Sequence, residues 1–222
     1  MILDNTYLTR ASRSYVVEAA HRHGFAARCI WLDTPLAQAQ VNLVERLLER
    51  FGSLPTPVQL KEIAHAAPGL LSPTQQMRAF RELEPPADDE GFASVERITF
   101  AREAGAGAPG VFVAAAAVGS LPLADVDSGF PHLVFDWRPG GAESDLMEAV
   151  ALAARSVSGP LEVAICPHPG GPPVCWCRPP LPGLALAFAR AHGVDTARSF
   201  VVGASAAHRT LANALGARYV EA

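Results

Sequence analysis

The sequence predicts an α/β fold. Strand-length apolar runs alternate with helix-length segments that open on capping residues and close on glycine or proline. Half of the 222 residues are apolar, ample for a buried core. A stretch of small residues, AREAGAGAPG at 101–110, interrupts the alternation and divides it into two parts, each of the βα kind expected of a layered domain.

In the first part, Ile2-Leu3 reads as the tail of a buried strand. Ser12 or Ser14 can cap a helix that runs to about His23 and stops at Gly24. ARCIWL (27–32) has the length and composition of a strand. Thr34-Pro35 is a cap followed by proline at the first helical position, opening a helix to about Arg50. Pro57 and Pro73 start two more helices, and Phe92 to Phe100 returns as a strand. Residues 101–110 form a linker with little to bury. Beyond it, Val111–Ala117, His132–Asp136, Leu161–Cys166 and Ser199–Val202 read as strands. Helices are expected at Glu143–Ser156, at Leu184–His192 with Gly193 as the stop, and at Ser205–Leu215 with Ser205 as the cap. No internal repeat is present.

Eighteen basic and 22 acidic residues leave a formal charge of −4, which excludes a strongly basic nucleic-acid coat while allowing a local patch. No charged leader precedes an apolar run, and no 18-residue apolar stretch is free of charge or proline. The expectation is a soluble cytoplasmic protein without a membrane partner. Of the 18 basic residues only one, Lys61, is a lysine. Its position in VQLKEIAHA places it on a solvated helix face.

Three of the four cysteines lie with one histidine in CPHPGGPPVCWC, giving Cys166, His168, Cys175 and Cys177 in the order C-x-H-x6-C-x-C. Two close ligand pairs joined by a proline- and glycine-rich hairpin suit tetrahedral zinc. A disulfide leaves one cysteine over and ignores the histidine, and a redox pair normally takes C-x-x-C beside a helix start. Four protein ligands leave no place for water, so the zinc is expected to be structural. Cys29 reads as a buried strand cysteine. Trp176, between two ligands, is a candidate for stacking on a base or for packing beside the metal.

The segment CPHPGG…CWCRPPLPGLALAFARAHGVD…SFVVGASAAHRTLANALGARYV resembles the zinc-containing branch of the haloacid-dehalogenase-like (HAD) phosphatases. That branch includes the histidinol- and heptose-bisphosphate phosphatases and is similar to the 3′-phosphatase part of polynucleotide kinase-phosphatases. The resemblance implies a Rossmannoid parallel sheet with the metal loop beside the substrate entrance. It also implies four catalytic motifs, each altered here. The D-x-D strand reads VFVAAAAVG with no carboxylate, and the hydroxyl that holds phosphate is replaced by Asp136 in LVFDWRPGG. Pro179 stands at the lysine position of C-x-C-R-K-P, and GASAAHRT places Ala204 and His208 where acids complete a magnesium site. Without an acyl-phosphate nucleophile or a metal-binding acid pair, a pseudophosphatase is expected. Asp136, His208 and Arg178 could converge on the former site, although tolerated polar residues at strand ends are the simpler reading.

LDNTYLTRASRSYVVEAAHRHGFAARCIWLDTPLAQA, with FRELEPPADDEGFASVERITF at 80–100, resembles the second half of a P-loop polynucleotide 5′-kinase. The resemblance implies that Asp4 and Arg13 take structural or nucleic-acid roles. It also implies that Arg46 and Arg50, one helical turn apart in VNLVERLLERF, belong to a lid over nucleotide phosphates. Glu45 and Glu49 make an ordinary salt-bridged face an equal alternative. The G-x-x-x-x-G-K-[ST] phosphate loop is absent, and the resemblance implies that it would lie before Met1, either in an upstream segment or lost from a remnant.

The expected organisation is therefore a partial P-loop kinase-like domain at 1–103 followed by a HAD-like pseudophosphatase domain with a zinc loop at 104–222. The expected function is non-catalytic: a zinc-binding, scaffolding module for nucleic-acid ends or another protein. The alternative is an ATP-dependent polynucleotide or small-molecule 5′-kinase whose phosphate-loop half is missing from these residues.

Overall fold

The computed structural model describes residues 1–67, 69–102, 105–120, 127–140 and 144–222. The chain forms two compact units, Met1–Leu36 with Gln75–Arg102, and Ala37–Thr74 with Glu103–Ala222. The division differs from one at residue 103, because the segment 37–74 groups with the second unit.

The first unit contains α1 (Arg10–Arg22), β1 (Arg28–Asp33), most of α4 (Pro73–Glu82) and β2 (Ser94–Thr99). The cap of α1 is Thr9, one turn earlier than Ser12 or Ser14. Its hydroxyl accepts the Ser12 amide at 3.2 Å, and the Ser12 hydroxyl accepts the Thr9 amide at 3.1 Å. A short polar residue at the third helical position thus completes a reciprocal box instead of opening the helix. Gly24 takes φ +74°, which lets the Phe25 amide turn back to the Ala20 carbonyl at 2.9 Å.

Strands β1 and β2 form a two-stranded parallel sheet in which Ile30 pairs with Glu96 and Leu32 with Ile98. One face carries Ile30, Leu32 and Ile98, exposed at 59, 68 and 44 %. Parallel sheets are normally covered on both faces, and a two-stranded sheet is marginal by itself. Ile2 and Leu3 are not a strand: they lie exposed and unpaired in secondary structure, since β1 and β2 pair only with each other among the described residues.

The second unit opens with α2 (Leu36–Phe51) and α3 (Pro57–Ala66). Val41, Leu43, Val44, Leu47 and Leu48 form the buried stripe of α2, leaving Glu45, Arg46, Glu49 and Arg50 outside. Thr56 caps α3 and Pro57 occupies its first turn.

Then follow β3 (Val111–Ala114), β4 (His132–Trp137), α5 (Ser144–Ala153), β5 (Leu161–Cys166), α6 (Gly183–His192), β6 (Phe200–Gly203), α7 (Ala206–Leu215) and β7 (Arg218–Glu221). The strands form one parallel sheet in the order β5-β4-β3-β6-β7, with β3 buried along its whole length. The chain winds outward from β3 through β4 and β5, then crosses back to β6 and β7. The order therefore reverses beside β3, the place where open α/β sheets form a crevice at their carboxyl ends.

Two expectations change here. The strand expected over 111–117 ends at Ala114, and residues 115–120 turn into a 3-10 helix. The alanines bring no β-branched side chains to hold an extended chain, and pairing with β4 and β6 stops at Ala114 and Val113 respectively. The expected linker is not loose over 105–110. Ala108 exchanges backbone hydrogen bonds with Gly193 and Asp195, at 3.2 and 2.9 Å, and Arg198 donates to the Gly107 carbonyl at 2.8 Å. A Cβ on Gly107 would lie 2.7 Å from the Gly193 oxygen, so this crossing requires glycine. Residues 103, 104 and 143 lie outside the described residues.

Candidate metal centre

Strand β5 delivers Cys166 as its last residue, and the chain then leaves the sheet through prolines and glycines that cannot continue it. His168 follows two residues later, and the return of the loop brings Cys175 and Cys177. The four ligand atoms lie within 4.8 Å of one another. Cys166 Sγ is 3.6 Å from Cys175 Sγ and 3.5 Å from His168 Nδ1, which is 3.2 Å from Cys177 Sγ. Tetrahedral zinc with bonds of about 2.3 Å to sulfur and 2.0 Å to nitrogen needs ligand separations of about 3.5–3.8 Å. The donor set and its spacing fit the ion.

The electrostatics of the cluster prepare it for a cation. The Cys175 thiol is held down to about 5, chiefly by the hydrogen bond from Cys177, against the opposing cost of burial. Cys177 is pushed up by its hydrogen bond with Cys175, and burial raises Cys166. A cation would stabilise further thiolates and release their protons.

The loop is tied to the sheet by a residue that sequence reasoning missed. Trp137 ends β4 opposite Cys166 and donates its indole N–H to the His168 carbonyl at 2.8 Å. The Arg178 guanidinium lies 5.0 Å from the Trp137 ring centroid and donates to the carbonyls of Pro169 and Gly171, at 3.3 and 2.7 Å. Only the β4–β5 register reveals this clamp; no motif announces it. Trp176 is not a stacking surface. It is 1 % exposed, and its indole donates to the Leu71 carbonyl at 3.3 Å.

Above β3, β4 and β6, the crevice holds no paired carboxylates among the described residues. The end of β3 is Ala114, followed by alanines. Asp136 accepts from its neighbouring Trp137 amide and from Arg138 Nε at 2.7 Å. His208 sits one turn into α7, where its Nδ1 accepts the Ala204 amide at 3.2 Å and its ring meets Phe135 edge-on. Burial holds its pKa below the ordinary value, opposed by the Asp136 charge. The ring is therefore neutral near pH 7, with its proton on Nε2. Arg178 is engaged by the metal loop and does not join Asp136 and His208 in an ion pair.

The four residues considered for phosphate contacts fall into different settings. Asp4 is exposed near the first residues. Arg13 is buried in the first unit, where Nε and Nη2 fork onto Glu90 at 2.6 and 2.7 Å and Nη1 serves the carbonyls of Tyr7, Leu8 and Glu84. This is a structural role, with the Glu90 carboxylate held below its ordinary pKa mainly by that guanidinium. Arg46 and Arg50, in the second unit, are both exposed and line a depression of about 350 Å³ with Glu49, Ala67, Gly69 and Leu70. Lys61 is exposed on α3, as its solvated-face reading expects. Cys29 is half-buried on β1, and burial raises its thiol pKa.

Comparison with known proteins gives a match to a family model and to a solved structure. Residues 1–67 match the family model of the AAA domain, a P-loop kinase-like family. No curated protein matches the chain. Among solved structures it is similar to a HAD-superfamily hydrolase, subfamily IA, variant 1, from Geobacter sulfurreducens. The identity is 12 %, over 88 % of this chain and 86 % of that one, with a TM-score of 0.32. Among the described residues no helix is long and apolar enough to cross a membrane.

Proposed function

We propose that the chain is a zinc-stabilised, non-catalytic module related to polynucleotide kinase-phosphatases, which binds phosphorylated nucleic-acid ends. The observation that carries this reading is the contrast between two neighbouring places. The Cys/His set is complete and close to tetrahedral spacing, while the strand ends beside it offer Ala114, Ala204, a neutral His208 and an Asp136 already paired to Arg138. Phosphoryl transfer on such a sheet needs a nucleophile and groups that neutralise the transferred charge. Among the described residues at these strand ends, the one carboxylate, Asp136, is held by Arg138 and has no second acid beside it.

Zinc bound by this set would order the loop, contributing on the order of 10 kcal/mol to folding. Cys166, Cys175 and Cys177 would hold it through sulfur and His168 through Nδ1. Trp137 fixes the His168 backbone, and the indole of Trp176 anchors the loop to Leu71. Arg46 and Arg50 are the side chains proposed to meet phosphate.

Fluorescence anisotropy with a 3′-phosphorylated single-stranded oligonucleotide tests the reading. Salt-sensitive binding is expected, weakened in Arg46→Ala/Arg50→Ala. Absence of binding at about 100 µM protein, the weak end of non-specific nucleic-acid affinity, overturns it.

A second reading, an ATP-dependent polynucleotide kinase completed by a phosphate loop outside these residues, is favoured by the match over 1–67 and by the bare face of Ile30, Leu32 and Ile98. An in-frame G-x-x-x-x-G-K-[ST] upstream of the Met1 codon supports it; a stop codon immediately upstream removes it.

A further inference from the structure

The metal loop and the arginine-lined depression are joined by a short route inside the second unit. Trp176 is bracketed by two ligands, Cys175 and Cys177, so its backbone is held on both sides by the cluster. Its buried indole reaches the Leu71 carbonyl. The residues just before Leu71, Gly69 and Leu70, form one wall of the depression, and Arg46, Glu49 and Arg50 of α2 form another. Backbone contacts brace the same corner. The Gly183 amide donates to the Trp176 carbonyl at 3.1 Å, and a Cβ on Gly183 would lie 3.1 Å from Leu54 Cδ1, so α6, the ligand loop and the α2–α3 connection meet there.

Charge makes the wall matter. Two arginines and Glu49 leave a net charge of about +1 in the depression, too little to hold an anion by field alone in water. Retention then depends on both guanidinium forks meeting oxyanions while the far wall excludes solvent. Arg46 Nε donates to the Asn42 carbonyl and the Arg50 guanidinium lies 5.6 Å from the Phe51 ring centroid, yet two arginines one helical turn apart on α2 suit the successive oxyanions of a linear polyphosphate better than a single phosphate.

We propose that the Arg46–Arg50 depression is a polyphosphate site coupled to the Cys/His metal site through Trp176 and the 69–71 segment. The proposal rests on the metal and phosphate readings above and adds the link between them. Thermodynamic reciprocity then requires that metal loading tighten polyphosphate binding and that polyphosphate retain the metal by the same factor.

The test uses the full chain loaded with zinc, freed of excess metal, and titrated calorimetrically with inorganic triphosphate. Trp176→Phe keeps the ring in its packing place and removes the N–H donor. It is expected to retain zinc and to bind triphosphate about three- to tenfold more weakly, the span of one lost hydrogen bond. Zinc transfer to a colorimetric chelator should slow in triphosphate for the native chain, although triphosphate in solution pulls zinc the other way. In Arg50→Ala the slowing should vanish. Trp176→Phe that holds zinc and binds triphosphate like the native chain overturns the coupling, as does zinc release that is not slowed by triphosphate in the native chain. If the zinc-loaded native chain binds no triphosphate, the phosphate reading of the depression falls and the coupling falls with it.

Discussion

Cys175 is buried between two other cysteines of the ligand set, so its loss is an informative single change. Cys175→Ser should reduce bound zinc from about one equivalent to none by elemental analysis, with broad loss of order in the loop. Arg13 and Glu90 form the corresponding buried pair in the first unit, with side chains exposed at only 5 and 4 %. Arg13→Ala strands a buried carboxylate and three carbonyls and should cost about 3 kcal/mol or more in denaturant unfolding. Because the Glu90 pKa is depressed below its ordinary 4.5, the stability from this pair is fully present above pH 4.5. It is lost as pH falls through the folded value. His132 works in the same direction at higher pH. Burial lowers its pKa from 6.5, its Nδ1 meets the Phe130 carbonyl at 2.6 Å, and its Nε2 has no partner among the described residues. Stability should be intact above pH 6.5 and decline as pH falls through the lowered value. The decline in melting temperature should shrink in His132→Leu.

At the scale of elements, the helices were more legible than the ends of strands. Pro57, Gly193 and Ser205 mark boundaries that recur in the structure because capping and left-handed turns are local chemistry. The ligand spacing was legible for the same reason: C-x-H and C-x-C encode proximity within a few residues. Trp137 was not legible, because its place beside Cys166 is a property of β4–β5 register. Strand β7 was also missed, since RYVE is too short to show alternation and forms by pairing with β6. The start of α6 offers a test of element packing. Gly183 lies against the Trp176 carbonyl so closely that a Cβ would collide with backbone. Gly183→Ala should destabilise the fold by about 1–3 kcal/mol and loosen zinc binding, read by chelator competition.

Across the molecule, composition and alternation indicated two α/β parts, and the parallel sheets agree. What they could not reveal was the allegiance of residues 37–74, which group with the five-stranded unit. An amphipathic helix such as α2 shows that it has a buried face without showing what covers it. In the structure, Gln38 Nε2 donates to the Ala214 carbonyl at the end of α7, and Trp176 reaches Leu71. The helices that bear Arg46, Arg50 and Lys61 are therefore held by the metal-loop unit. The functional proposal is a whole-molecule one: a Cys/His cluster with ligand spacing that fits zinc stands beside a sheet whose carboxyl-end crevice has no paired carboxylates among the described residues. Its most direct measurement is phosphate release from a 3′-phosphorylated oligonucleotide by the zinc-loaded chain in magnesium. No release above buffer is expected. Release that co-purifies with the chain through repeated chromatography and disappears in Asp136→Ala or His208→Ala would contradict it.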